Sequence, residues 1–96
     1  MSDIRFEWDE NKNAANQKKH KVSFEEAKSV FYDENARLIS DPDHSEREDR
    51  FILLGLSNRL RMLVVVHTYR KSDEIIRIIS AREATKRERR FYERRK

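Results

Sequence analysis

The stretch Arg61–Arg82, RMLVVVHTYRKSDEIIRIISAR, limits the choice of fold more than any other part of the chain. Met62–Tyr69 and Ile75–Ala81 are dense in Val and Ile, whose branched side chains suit a pleated surface. Between them Lys71-Ser72-Asp73-Glu74 is polar and lacks the Asn-Gly or Asp-Gly pair of a tight turn, which predicts a loop of about four residues. An antiparallel hairpin closed by that loop sets Arg70 opposite Ile75 and Thr68 opposite Arg77. Side chains alternate faces along a strand, so Arg70, Thr68 and Arg77 share one face with Val66 and Ile79. A guanidinium is always charged and is costly on a half-buried sheet without a partner. The partner is either a carboxylate of the same chain or a phosphate from outside.

The remaining elements are read around this hairpin. Ile4–Trp8 alternates and is an edge strand or an extended lead-in, with Phe6 and Trp8 pointing the same way. Asp9 is a good N-cap for a helix from Glu10 to Lys19, whose only apolar residues are Ala14 and Ala15, so its ends must hold it. Ser23-Phe24-Glu25-Glu26 has the form of a capping box, with Val22 and Ala27 as the staple. Phe24, Ala27, Val30 and Phe31 follow at helical spacing and predict an amphipathic helix over Glu25–Tyr32. Strands are expected at Ala36–Ser40 and Arg50–Ser57, separated by a turn at Asp41-Pro42-Asp43. Arg50–Ser57 is apolar on both faces, which argues for a covered strand, and Gly55 marks a bulge or a close backbone approach. Arg82–Arg95 reads as a final helix. The sum is an α+β fold: two N-terminal helices on one face of a four-stranded antiparallel sheet, and a C-terminal helix beside the other face.

Ninety-six residues make one small domain with one core. The absence of Cys suits a reducing cytoplasm, and no apolar run approaches the roughly 18 residues of a membrane span. The N-terminal residues lack the apolar core of a signal peptide. Charge is unevenly placed. From Arg82 onward there are eight Lys/Arg against three Glu, whereas the preceding residues are nearly balanced, fourteen basic against fifteen acidic. Such asymmetry points to a polyanion or an acidic protein as partner, and the excess over helix ion pairs favours nucleic acid.

Several motifs occur in a recognisable order: Phe6-Glu7-Trp8-Asp9; Lys19-His20-Lys21-Val22-Ser23-Phe24-Glu25-Glu26-Ala27; Asp41-x-x-His44-Ser45-x-x-Glu48-x-Arg50; Thr68-x-Arg70; Arg77-Ile78-Ile79-Ser80-Ala81-Arg82-x-Ala84-Thr85; and Glu88-x-x-x-Tyr92-Glu93. No one of them is specific, but the ordered set spans nearly the whole chain and resembles the BrnT toxins of bacterial type II toxin–antitoxin systems. The resemblance implies a RelE-like fold, RNA cleavage without metal or other cofactor, and inhibition of translation and growth. It also implies neutralisation by a BrnA-like antitoxin in a heterotetramer or other hetero-oligomer, which reaches operator DNA only through the antitoxin. One departure is plain: where the family usually has Gly after the His that ends the first helix, this chain has Lys21.

Metal-free RNA cleavage needs a base for the 2′-hydroxyl, positive charge on the developing phosphorane and an acid for the leaving 5′-oxygen. Arg70, Arg77 and Arg82 suit the charge role, because a guanidinium holds two phosphate oxygens at once. His20 is the candidate base or acid, since histidine titrates near neutrality; the bland alternative is a side chain that complements the helix dipole. Lys18 and Lys19 precede it and would favour a phosphate, and Lys19 is the fallback in proton transfer. His67, amid aliphatic neighbours, reads as a core or edge histidine. Tyr69 would stack on a base or fill the sheet. Tyr92 and Glu88, one helical turn apart, face the cleft or pack against the sheet. His44, with Asp43 and Glu46, matches no closed metal pattern and reads as a turn. A non-catalytic RNA- or DNA-binding module using the basic C-terminal face, and a pure interaction protein, are the competing readings.

Overall fold

The computed structural model describes residues 4–40, 50–70 and 74–94. The Pro42 turn, His44 and most of the hairpin loop lie outside the described residues. The order is β1 (Arg5–Glu7), α1 (Glu10–His20), α2 (Phe24–Ser29) with a 3-10 turn at Val30–Tyr32, β2 (Arg37–Ser40), β3 (Arg50–Leu56), β4 (Met62–Arg70), β5 (Ile75–Glu83) and α3 (Lys86–Glu93). The sheet has five strands in the order β1-β5-β4-β3-β2. The expected antiparallel four are there, and β1 adds a parallel edge by pairing Arg5, Phe6 and Glu7 with Ile75, Ile76 and Arg77. The sheet is therefore mixed, because three residues ahead of α1 are long enough to reach across to the hairpin.

The hairpin register is as expected over its outer half: Arg70 faces Ile75 and Thr68 faces Arg77. Further in, a bulge between Val66 and His67 in the pairing leaves Ile79 unmatched, so Val66 faces Ser80 instead of Ile79. An extra residue on one strand shifts every later side chain of that strand to the other face. Beyond the bulge, Ala81 and Glu83 therefore turn toward one side of the sheet, and Ser80 and Arg82 toward the side that carries Thr68 and Arg77.

The first of these sides is the main core. Val22, Phe24, Ala27 and Val30 from α2 and its flanks pack on Leu53, Leu63, Val65, Ile76, Ile78 and Ala81, with Phe6, Trp8 and Phe31 at the margin. His67 is fully buried here. Its Nδ1 lies 3.2 Å from the Val65 carbonyl and its Nε2 3.2 Å from the Tyr69 hydroxyl. Gly55 is the site of a close approach: a Cβ there would stand 2.9 Å from Ala36 Cβ and from Val30 Cγ1. The second side has a smaller core, Leu54, Met62 and Val64, covered by Tyr92 and Ala84.

Local signals explain the helices. The Asp9 carboxylate accepts from the Asn11 and Lys12 amides at 2.8 and 3.4 Å. The Ser23 hydroxyl accepts from the Glu26 amide at 3.0 Å, but Glu26 does not close a capping box. Its carboxylate turns inward, taking hydrogen bonds from the Ser57 hydroxyl and from the Arg61 guanidinium. Arg61 holds that carboxyl below its usual range against the opposing cost of burial. The last helix begins later than expected because β5 runs on to Glu83, opposite Leu63, and Thr85 with Glu88 forms a capping box.

α1 is not held only by its ends. Asn16, 7% exposed, donates to the carbonyls of Val22 and Ala81, both at 2.8 Å, and accepts from the Ala81 amide at 3.1 Å. Asn13 accepts from the Phe24 amide at 2.9 Å. β1 pairs with β5 only as far as Arg77, so Ala81 lies beyond it on the same edge, where the Asn16 side chain satisfies its backbone. Lys21 ends the helix with φ 63° and ψ 28°, the left-handed conformation that Gly adopts without cost. Its carbonyl accepts from Arg61 at 3.0 Å.

Candidate nucleic-acid interface and active site

Strand alternation and the bulge together bring a set of cations to the second face of the sheet. β1 contributes Arg5 and Glu7, β5 Arg77 and Arg82, β4 Thr68 and Arg70, and β3 Arg50, which faces Thr68. α3 lies over one end of this face. A cleft of about 280 Å³ lined by Ile39, Ile52, Leu54, Val64, Arg87, Glu88 and Phe91 separates it from the strands.

The charges are unevenly matched. Glu7 Oε2 lies 2.9 Å from Arg77 Nη1 and 3.5 Å from Arg70 Nε, so one carboxylate serves two guanidiniums. The side chains of Arg70, Arg77 and Glu7 are 55%, 34% and 36% exposed, so all three are within reach of a ligand. Arg82 is differently placed. Its two terminal nitrogens donate to the two Glu88 oxygens at 2.9 and 2.8 Å. That pair, with the Thr85 amide bonded to Glu88, fastens the start of α3 to β5, and drives the Glu88 carboxyl down to about 2, with the Arg82 hydrogen bonds as the main cause.

The other candidates are dispersed. His20 ends α1 and, with Lys12, Lys19, Ile79 and Ser80, lines a cleft of about 210 Å³ at the outer edge of β5. Ser80 belongs to the arginine-bearing face, so this cleft lies around the edge of the sheet from Arg77. Lys18 is exposed on α1 and does not line it. Tyr69 is on the opposite face from Arg70, because neighbouring strand residues point to opposite sides. It meets Phe51 and His67 edge-on, with ring centroids 5.3 and 5.2 Å away. Tyr92 packs under α3 and donates to Asp33 Oδ2 at 2.7 Å. Neither tyrosine joins the arginine cluster. His67 is a core residue, as expected, with burial lowering its pKa to about 4.

Two members of the face went unsingled in the sequence. Glu7 stands in the Phe6-Glu7-Trp8-Asp9 motif, but its place beside Arg77 follows from the long-range pairing of β1. Arg50 stands in the Glu48-x-Arg50 motif, and its register opposite Thr68 was readable once β3 and β4 were paired.

A five-stranded mixed sheet with helices on both sides is an α+β architecture shared with a known toxin. The chain superposes with TM-score 0.65 on the 1.1 Å crystal structure of the Brucella abortus ribonuclease toxin, BrnT, at 24% identity, covering 90% of this chain and 100% of that one. Residues 8–88 match the family described as ribonuclease toxin, BrnT, of type II toxin–antitoxin systems, and the chain belongs to that family. Among curated proteins no significant relative is found.

Proposed function

We propose that this protein is an endoribonuclease that cuts RNA by attack of a 2′-hydroxyl on the adjacent phosphorus, without a metal ion, and so inhibits translation and growth. The observation that carries the reading is the pairing of Arg70 and Arg77 with a single carboxylate on an accessible sheet face. A guanidinium pair with half its charge uncompensated attracts a phosphodiester and stabilises the charge that builds on it. His20 is the candidate for proton transfer, and Lys12 and Lys19 beside it offer a track for the RNA backbone around the β5 edge. Lys18 adds to the same positive field.

In this reading the partner is a BrnA-like antitoxin in a heterotetramer or other hetero-oligomer, operator DNA is reached only through it, and the protein acts in the cytoplasm. No helix among the described residues is long and apolar enough to cross a membrane. The test is digestion of naked RNA by the purified chain in chelator, followed by end-group analysis. Fragments ending in a 2′,3′-cyclic phosphate are expected. Retarded but intact RNA would instead make the chain a non-catalytic binding module.

A further inference from the structure

We propose that Glu7 is the general base that takes the proton from the attacking 2′-hydroxyl; this deepens, and rests on, the ribonuclease reading above. Three observations lead to it. First, the parallel register of β1 sets Glu7 directly beside Arg77, on the face that carries Arg70. Second, the hydrogen bond from Arg77 and the closest approach of Arg70 both fall on Oε2, and no hydrogen bond to Oε1 is found among the described residues. A carboxylate whose only job was to neutralise the two guanidiniums would have both oxygens to use. Here one oxygen orients the group and the other keeps its lone pairs for a ligand. Third, Arg70 and Arg77 share the one Glu7 carboxylate, so a phosphodiester monoanion brought to them meets a pair of guanidiniums beside a carboxylate.

The chemistry follows from that arrangement. A phosphodiester held by Arg70 and Arg77 places its neighbouring ribose against the carboxylate that those arginines also hold. The 2′-hydroxyl proton passes to Glu7 Oε1, the bond from O2′ to phosphorus forms, and the bond from phosphorus to O5′ breaks. The departing O5′ takes a proton from water. The products are a 2′,3′-cyclic phosphate and a 5′-hydroxyl, with no oxidant, reductant or co-reactant required. Arg70, more than half exposed, has the freedom to shift from Glu7 onto the phosphate. Glu7 is then a catalytic residue and not a brace for the arginines.

The two roles separate in one experiment on the full chain. Glu7→Gln keeps the shape of the side chain but cannot accept the proton. Cleavage of a short RNA should fall by about 100-fold or more. Binding of the same oligonucleotide with a 2′-deoxy substitution at the cut site should hold or tighten, because a negative charge has been removed. Glu7→Ala should be partly rescued by added acetate or formate, which can fill the gap with a carboxylate. Glu7→Gln cutting within about threefold of wild type, or losing binding in step with cutting, would overturn the assignment while leaving the nuclease reading intact. A wild-type chain that binds RNA and never shortens it would overturn both.

Discussion

Arg77 and Arg82 are five residues apart on one strand, yet they lie on the same face of the sheet. On a regular strand that spacing sends two side chains to opposite sides. The unmatched Ile79 supplies the missing half-step, so Arg77 faces Thr68 while Arg82 faces Val64. The two arginines then take different partners. Arg77 shares Glu7 with Arg70, whereas Arg82 is paired through both terminal nitrogens with Glu88. One face thus holds a cation pair open to a ligand and a second pair that fastens a helix.

Arg77→Ala separates function from fold. The Arg77–Glu7 pair is partly exposed, and such pairs contribute only about 0–1 kcal/mol. The thermal midpoint should change little, while RNA cleavage should drop by about 100- to 1000-fold, the usual loss when one donor to a developing oxyanion is removed. Calorimetry and a gel assay on the same preparation check both halves.

His67 makes stability fall as the solution is acidified. Its folded pKa of about 4 lies below the ordinary 6.5, so the unfolded chain binds the proton more readily. Stability is whole above pH ~6.5 and declines as pH falls toward 4, by about 3 kcal/mol in all. Glu88 adds a lower window, between its ordinary value of 4.5 and about 2, as the carboxylate that binds Arg82 is protonated. Urea titrations from pH 8 to pH 4 should show the first decline, and His67→Phe should flatten it.

Asn16→Leu should cost about 2–4 kcal/mol although it adds apolar surface to a helix that has little. The substitution strips hydrogen bonds from the Val22 carbonyl and from both backbone groups of Ala81, in a buried site. Hydrogen exchange at the Ala81 amide should accelerate well beyond the change in global stability.

Lys21→Gly should stabilise the chain by about 0.5–1 kcal/mol. A side chain in the left-handed region costs about 1–2 kcal/mol, and Gly gives back part of that gain in unfolded-state entropy. The Arg61 bond to the Lys21 carbonyl involves backbone and survives the change. Denaturant midpoints of the two proteins decide it.

Gly55→Ala tests the packing of β3 on its neighbours. The new Cβ would meet Ala36 Cβ and Val30 Cγ1 at 2.9 Å and Asp33 Oδ2 at 3.0 Å, two of them short stems with no room to retreat. A loss of about 1–3 kcal/mol is expected, the usual range for overpacking. A thermal midpoint equal to wild type would show that Val30 and Ala36 can move apart.

What was legible in the chain was local. The four-residue polar loop between Met62–Tyr69 and Ile75–Ala81 yields the hairpin register at Arg70 and Thr68, and Asp9 and Ser23 announce their helices through side chains that bond the next turn. What stayed hidden was set by distant partners. Glu26 has the sequence of a capping-box member but is drawn inward by Arg61, thirty-five residues on. Tyr69 reads as a residue that stacks on a base or fills the sheet and Tyr92 as one that faces the cleft or packs, and strand alternation sends the first into the main core while Asp33 holds the second. The Ile79 bulge leaves no local mark, and it decides which arginines share a face.

Glu7 and Arg77 are separated by 70 residues of sequence. Joining them closes a loop of most of the chain, and that ordering entropy must be met before the contact returns anything. The constellation is thus absent from any folding intermediate in which the first strand has not yet docked. On the proposed reading, a chain whose first strand has not docked cannot cut RNA.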